Sequence, residues 1–338
     1  MSDASPSLDK AWRCLDDGDF AGARWLAERE MRDDPENPEA LLLLAVCSRG
    51  EGDSEKALGL LEQASAVAKD WSAPAQWMAE ILTEDLGRPA DALKYAEVAL
   101  DRADEENEFL DAIVLKAGLE IQLGKVKAAQ ATLSELPPAS EVQLPAELSL
   151  DLAYLFLEAD VMPEAEQRFR ALAGSDPDDV EAWYGIGLCA ETKGDEAGKR
   201  QAWLRVLALD TKAPLQDPHM SEAEMAEVAE KALRELPEAA HTLIANVPIL
   251  IVDLPARDEI EQGMDPRLLG MFEGTSYSDS GTMGGQPQVT RILLFRKNLE
   301  RMAIDSEDLR EQIRITLLHE TGHFFGMSEQ DLANVGLE

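Results

Sequence analysis

The chain has 338 residues, 45% hydrophobic and 29% charged, which is enough apolar chain for two or three packed domains and rules out a disordered polymer. A balance of 31 Lys and Arg against 67 Asp and Glu leaves a formal charge of −36, so nucleic acid and anionic membranes are repelled and excluded as partners, while neutral or cationic ones are admitted. The longest apolar runs, "ALLLLAV" and "VPILIV", fall far short of the ~18 residues of a membrane span.

The opening "MSDASPSLDKAWRCLDDGD" has no basic region followed by an apolar stretch, which predicts no signal peptide. Cys14, Cys47 and Cys189 are odd in number and lack metal-ligand spacing. Reduced, buried thiols in a cytoplasmic protein are expected.

From about residue 5 to 212 the chain repeats. "DDGDFAGA", "GEGDSEKA", "DLGRPADA", "QLGKVKAA", "EADVMPEA" and "TKGDEAGK" each separate two apolar stretches. Their turn residues are Gly18, Gly52, Gly87, Gly124, Asp160 and Gly194, and five residues on stand Ala23, Ala57, Ala92, Ala129, Ala165 and, breaking the series, Lys199. A glycine that ends one helix and an alanine that lets the next pack closely predict a stack of helical hairpins. Trp183, Ile186 and Gly187, with the junctions "DDPENPEA" and "SDPDDVEA", give this region its resemblance to the tetratricopeptide repeat. The resemblance implies about six units in an α-solenoid whose concave groove holds a protein partner. The six tryptophans all lie here and are read as packing between helices, with peptide clamping in the groove as the alternative.

Pro214 and Pro218 interrupt the helical period, so residues 213–220 are read as a linker and 221–338 as a second domain. Ser221 followed by Glu224 is a capping-box signature, opening a helix that ends before Pro237. The β-branched run "NVPILIVD" predicts a strand at about 246–253, and "VTRILLFR" a second at about 289–296. Between them Gly274–Gln288, rich in Gly and Ser, predicts a loop. A long helix should begin near Asp305 or Ser306, with acidic residues in its first turn.

That helix carries "HETGH". Residues four apart share a helix face, so His319 and His323 present two imidazoles to one Zn2+, and Glu320 beside them reaches a water on that metal as general base. A catalytic zinc takes a third protein ligand. Gly326 provides a turn and Glu329 follows three residues later, giving H-E-x-x-H-x-x-G-x-x-E; Asp331 is the alternative, with His219 and His241 behind it.

The spacing resembles the metzincin arrangement with a carboxylate in place of the third histidine, although no methionine follows Met327 to make a methionine turn. With "NVPILIVDLP", "DPRLLGMFEG", "RILLFRKNLER" and "IRITLLHETGHFFGMSEQDL", the region from Pro218 onward is similar to the small bacterial zincin-like metallopeptidase family. That resemblance implies a small α+β domain, zinc held by His319, His323 and the acidic residue at 329, and Glu320 as base. The family carries Asp where this chain has Glu329.

Two classes of function follow. One is a mainly α, cytoplasmic zinc peptidase whose repeats recruit a protein substrate or regulator; hydrolysis of a non-peptide amide uses the same site. The other is a non-catalytic repeat scaffold with a structural or inactive zincin domain. For the enzyme, "VTRILLFRK" is read as an edge strand that takes a peptide by strand addition. Arg291, Arg296 and Lys297 on it favour an acidic peptide, with protection of an exposed edge against aggregation as the alternative; the Gly274–Gln288 loop is expected to close as a lid, and Tyr277 in that loop is a candidate oxyanion donor.

Overall fold

The computed structural model describes residues 6–136, 144–236, 247–275, 288–324 and 327–328. Its repeated unit is a helical hairpin with a left-handed residue at the turn. Positive φ occurs at Gly18, Gly52, Gly87, Gly124 and Gly194, between 61° and 82°, and at Asp160, where φ is 58°. These turns join α1 (Pro6–Asp16) to α2 (Phe20–Asp33), α3 (Pro38–Gly50) to α4 (Ser54–Val67), and α5 (Ala73–Glu80), extended by a π turn, to α6 (Pro89–Arg102). They likewise join α7 (Glu106–Gln122) to α8 (Val126–Leu133), α9 (Ala146–Glu158) to α10 (Met162–Ser175) and α11 (Val180–Thr192) to α12 (Glu196–Lys212). In three turns the next residue is an aspartate that caps the second helix: Asp19, Asp53 and Asp195 accept from the N–H of Gly22, Lys56 and Gly198. Ala23, Ala57, Ala92, Ala129 and Ala165 are fully buried, as close helix packing requires.

The tryptophans divide. Trp203 is fully buried and four others are half-buried, whereas Trp25 is 56% exposed on α2 with Arg29 against its ring. Trp12, Trp71, Trp77 and Trp203 pack in the hydrophobic clusters, whereas Trp183 donates its Nε1–H to the Pro177 carbonyl at 2.9 Å and Trp25 joins none of these clusters. Cys47 and Cys189 are buried, Cys14 is half-buried, and none of the three forms a disulfide. No helix among the described residues is long and apolar enough to cross a membrane.

By compactness the chain forms two units, Met1–Leu172 and Ala173–Glu338. The first holds five hairpins, with α10 running past its end. Its core is built in successive clusters, such as Leu8, Leu26 and Leu43 near the start and Leu42, Leu61, Met78 and Ile81 further along.

The second unit contains α11 and α12 together with the α+β region. There α13 (Glu222–Arg234) opens on the expected capping box of Ser221 and Glu224. It is followed by β1 (Ile249–Val252), α14 (Arg257–Glu261), β2 (Gly270–Thr275), β3 (Gln288–Phe295), α15 (Arg296–Met302) and α16 (Ser306–Phe324). The sheet order is β1–β3–β2, with β1 parallel and β2 antiparallel to β3. β3 is therefore the central strand. Ile292, Leu293 and Leu294 face partners on both sides, Ile249 to Ile251 on one and Phe272 to Gly270 on the other. The edge-strand expectation for this segment is corrected: a strand buried on both faces reads as the unbroken run "ILLF", and alternation is lost for that reason. Ile292 and Leu294 join Met225, Ala229 and Leu233 of α13 and Leu309, Ile313 and Leu317 of α16 in one core.

Candidate metal centre

α16 is positioned by what it buries. Asp305 caps it, accepting the backbone N–H groups of Glu307 and Asp308 at 2.9 Å each. Leu309, Ile313 and Leu317 then face the core. Thr316, His319 and His323 lie along an adjacent stripe, three and four residues apart. Thr316 is buried, while His319, Glu320 and His323 are half-buried at the rim.

Strand β2 runs beside this stripe. Gly270 at its start comes so close that a Cβ there would stand 2.9 Å from Thr316 Cγ2 and 3.0 Å from Leu293 O. Two residues on, the Phe272 ring lies 6.3 Å from that of Phe324, one residue past His323. The sequence holds only a weak signal for β2, since "GMFEGT" has adjacent rather than alternating apolar residues.

The two imidazoles converge. Their Nε2 atoms are 2.9 Å apart and the ring planes stand at 78°. That spacing is within about 0.5 Å of the distance between two nitrogen ligands of one tetrahedral zinc ion. His323 Nδ1 lies 3.2 Å from the Met327 carbonyl. A carbonyl only accepts, so Nδ1 carries the proton and Nε2 keeps its lone pair on the side facing His319. The carbonyl is itself placed by the Met327 N–H, which donates to Gly322 O at 3.0 Å as the chain leaves the helix. Met327 was not legible as a supporting residue, because a backbone group leaves no mark in the sequence. The donor set fits a metal that takes imidazole nitrogen, with a tautomer fixed from outside as such ligands require.

Glu329, Asp331, His241, Gly326 and Tyr277 lie outside the described residues. Among the described residues no group of three His, Cys, Asp or Glu side chains forms a metal site, so His219 does not complete one with His319 and His323. His219 is exposed before α13, its backbone N–H donating to Glu300. The cations proposed to attract an acidic peptide are engaged within the protein. Arg291 pairs with Glu273 across β2 and β3 at 2.6 Å, Arg296 with Glu222 at 3.1 Å, and Lys297 Nζ donates to Asp210 O and Ala213 O. Each of the three therefore already has an acceptor within the protein, although the Arg291 side chain remains 47% exposed.

Residues 244–337 match the family described as zincin-like metallopeptidase, and residues 15–81 and 150–214 match two tetratricopeptide repeat families. Comparison with curated proteins returns no match. Among solved structures, the chain is similar to PilW, a widely conserved type IV pilus biogenesis factor, at 19% identity over 61% of this chain and 93% of that one, with a TM-score of 0.50. The C-terminal part of a TPR repeat-containing protein from Cytophaga hutchinsonii is 13% identical over 70% of this chain and 86% of that one, with a TM-score of 0.48. At 19% identity the likeness to PilW is one of fold alone. The chain joins tetratricopeptide repeats to a C-terminal domain of the zincin-like metallopeptidase family.

Proposed function

We propose that the chain is a zinc-dependent peptidase, with His319, His323 and Glu329 as metal ligands, Glu320 as general base, and helical repeats that recruit a protein substrate or regulator. The observation that carries the reading is the convergence of His319 and His323 Nε2 at 2.9 Å, with the His323 tautomer set by Met327. Zinc in such a site supplies Lewis acidity and brings water within reach of deprotonation near neutral pH. Glu320, between the two histidines in sequence and half-buried, takes the proton from the attacking water and passes it to the leaving amine. Asp331 is the alternative third ligand and Tyr277 the proposed oxyanion donor. An extended substrate is assigned to the outer edge of β2 instead of β3. The sheet order supports this, as does the approach of Gly270 to the histidine stripe. Three cysteines without a disulfide support a reducing, cytoplasmic setting.

Glu320→Gln deletes the base and leaves the ligands. It should keep wild-type zinc content and lose cleavage of a peptide library by at least about 100-fold. Cleavage at the wild-type rate would remove Glu320 from the mechanism. Glu329→Ala should weaken zinc binding more than Asp331→Ala does, and the reverse order would make Asp331 the ligand.

A further inference from the structure

The sixth hairpin departs from its sisters. Where each of the others has a buried alanine, α12 has Lys199, whose ammonium pairs with Glu196 at 3.1 Å and lies over the Trp203 ring. Trp203 and Leu207 do not pack on a further repeat. They close around Ile260 of α14, fully buried, with Leu254 and Met264 beside it.

A polar network extends from this contact. The Arg267 guanidinium forms a two-pronged pair with Glu181 of α11, one bond at 2.7 Å, and lies 4.4 Å over the ring of Tyr184. Tyr184 Oη donates to Asp265 Oδ2 at 2.8 Å, and Asp265 Oδ1 accepts the Arg267 N–H. From the other side, buried Asn298 of α15 donates to the carbonyls of Pro266 and Leu268 at 2.9 and 2.8 Å. Asn298 Oδ1 accepts from Arg301, which in turn pairs with buried Asp210 of α12 at 2.6 Å. Residues 265–268 are thus held by side chains of α11 and, through Arg301 and Asn298, of α12. Two residues later begins β2, at the glycine that touches Thr316, one turn before His319.

We propose that the sixth hairpin is a positioning element of the metal centre: Glu181, Tyr184 and Asp210 clamp the 265–268 segment and so hold β2 against the histidine stripe of α16. The inference rests on reading His319 and His323 as metal ligands. It makes Arg267 and Asn298 positioning residues and couples the last repeat to the site through about one turn of backbone.

The test uses the full chain. Hydrogen exchange of the 268–275 and 316–324 amides and zinc affinity by chelator competition are measured for wild type, Glu181→Ala and Tyr184→Phe. Glu166→Ala, which removes an ion pair with Arg170 on α10, serves as control. Glu181→Ala should speed exchange in 268–275 several-fold and weaken zinc by about tenfold, the scale of an outer-shell change. The exchanged-charge pair Glu181→Arg with Arg267→Glu should restore both, and Glu166→Ala should change neither. Tyr184→Phe removes one hydrogen bond and should act in the same direction should Glu181→Ala fail to fold. Unchanged exchange in β2 would overturn the clamp, and faster exchange with wild-type zinc affinity would overturn its link to the site. If wild type takes up no zinc, the metal reading fails while the exchange arm still tests the clamp.

Discussion

Asp160 occupies the left-handed turn that glycine occupies in the other five hairpins, with φ at 58° and its side chain exposed. An L-residue pays about 1–2 kcal/mol for that conformation, less for Asp, and glycine returns part of the gain as lost backbone entropy. Asp160→Gly should therefore stabilise the array by roughly 0.5 kcal/mol, read in calorimetry as a rise in Tm of about 1–2 °C. A fall in Tm would mean that the Asp160 side chain supports the turn. At this scale the sequence was most legible. The turn glycines, the buried alanines and the Ser221–Glu224 box are each fixed by one residue's own stereochemistry. The histidine pair was legible for the same reason, since a spacing of four fixes a shared face. The Met327 carbonyl and the Arg267–Glu181 pair were not, because they depend on which chain segment lies nearby.

Among elements, the β2–α16 contact is the one on which the site depends. A methyl group at Gly270 would meet Thr316 and the Leu293 carbonyl inside van der Waals distance. Both are anchored, one in a packed helix and the other in the central strand, so neither can yield cheaply. Gly270→Ala should cost about 1–3 kcal/mol and move β2 off the helix. A Tm equal to wild type would show that the contact is loose. The same elements mark where sequence patterns failed. β1, β3 and α16 were found because length, β-branching and capping acted locally. The edge expectation for β3 fails because a periodic pattern reports burial and not neighbours. β2 carries little signal because its two apolar residues are adjacent. The linker prolines stand out in the sequence, yet nothing at Trp203 or Leu207 discloses that Ile260 covers them.

For the whole molecule, charge governs the response to pH. Burial pushes the carboxyls of Glu80, Asp111, Asp151 and Asp210 above the ordinary range, with Arg301 offsetting part of the effect at Asp210. A raised folded pKa means that the native state binds extra protons between the ordinary and the raised value. The associated stability is present at low pH and lost as pH rises through the raised value. Asp85, held by Arg49 and Ser54, and the capping groups Glu224 and Asp305 are lowered and act oppositely, losing stability only as pH falls below the ordinary range. Self-repulsion from a charge of −36 adds to the first group. Tm should therefore rise as pH falls from neutrality towards the ordinary carboxylate range and fall again below about pH 4. The rise should shrink in Glu80→Gln with Asp210→Asn. A steady fall from neutrality towards that range would show that paired carboxylates dominate instead.

The reading of this chain as an enzyme stands on one metal. Zinc per chain, measured by atomic emission after dialysis of wild type, His319→Ala and His323→Ala with folding checked by circular dichroism, tests it most directly. The account predicts one zinc per wild-type chain and less than about a tenth in either variant, since each removes one of three protein ligands. Full occupancy in a folded His319→Ala or His323→Ala, or no zinc in the wild type, would contradict it.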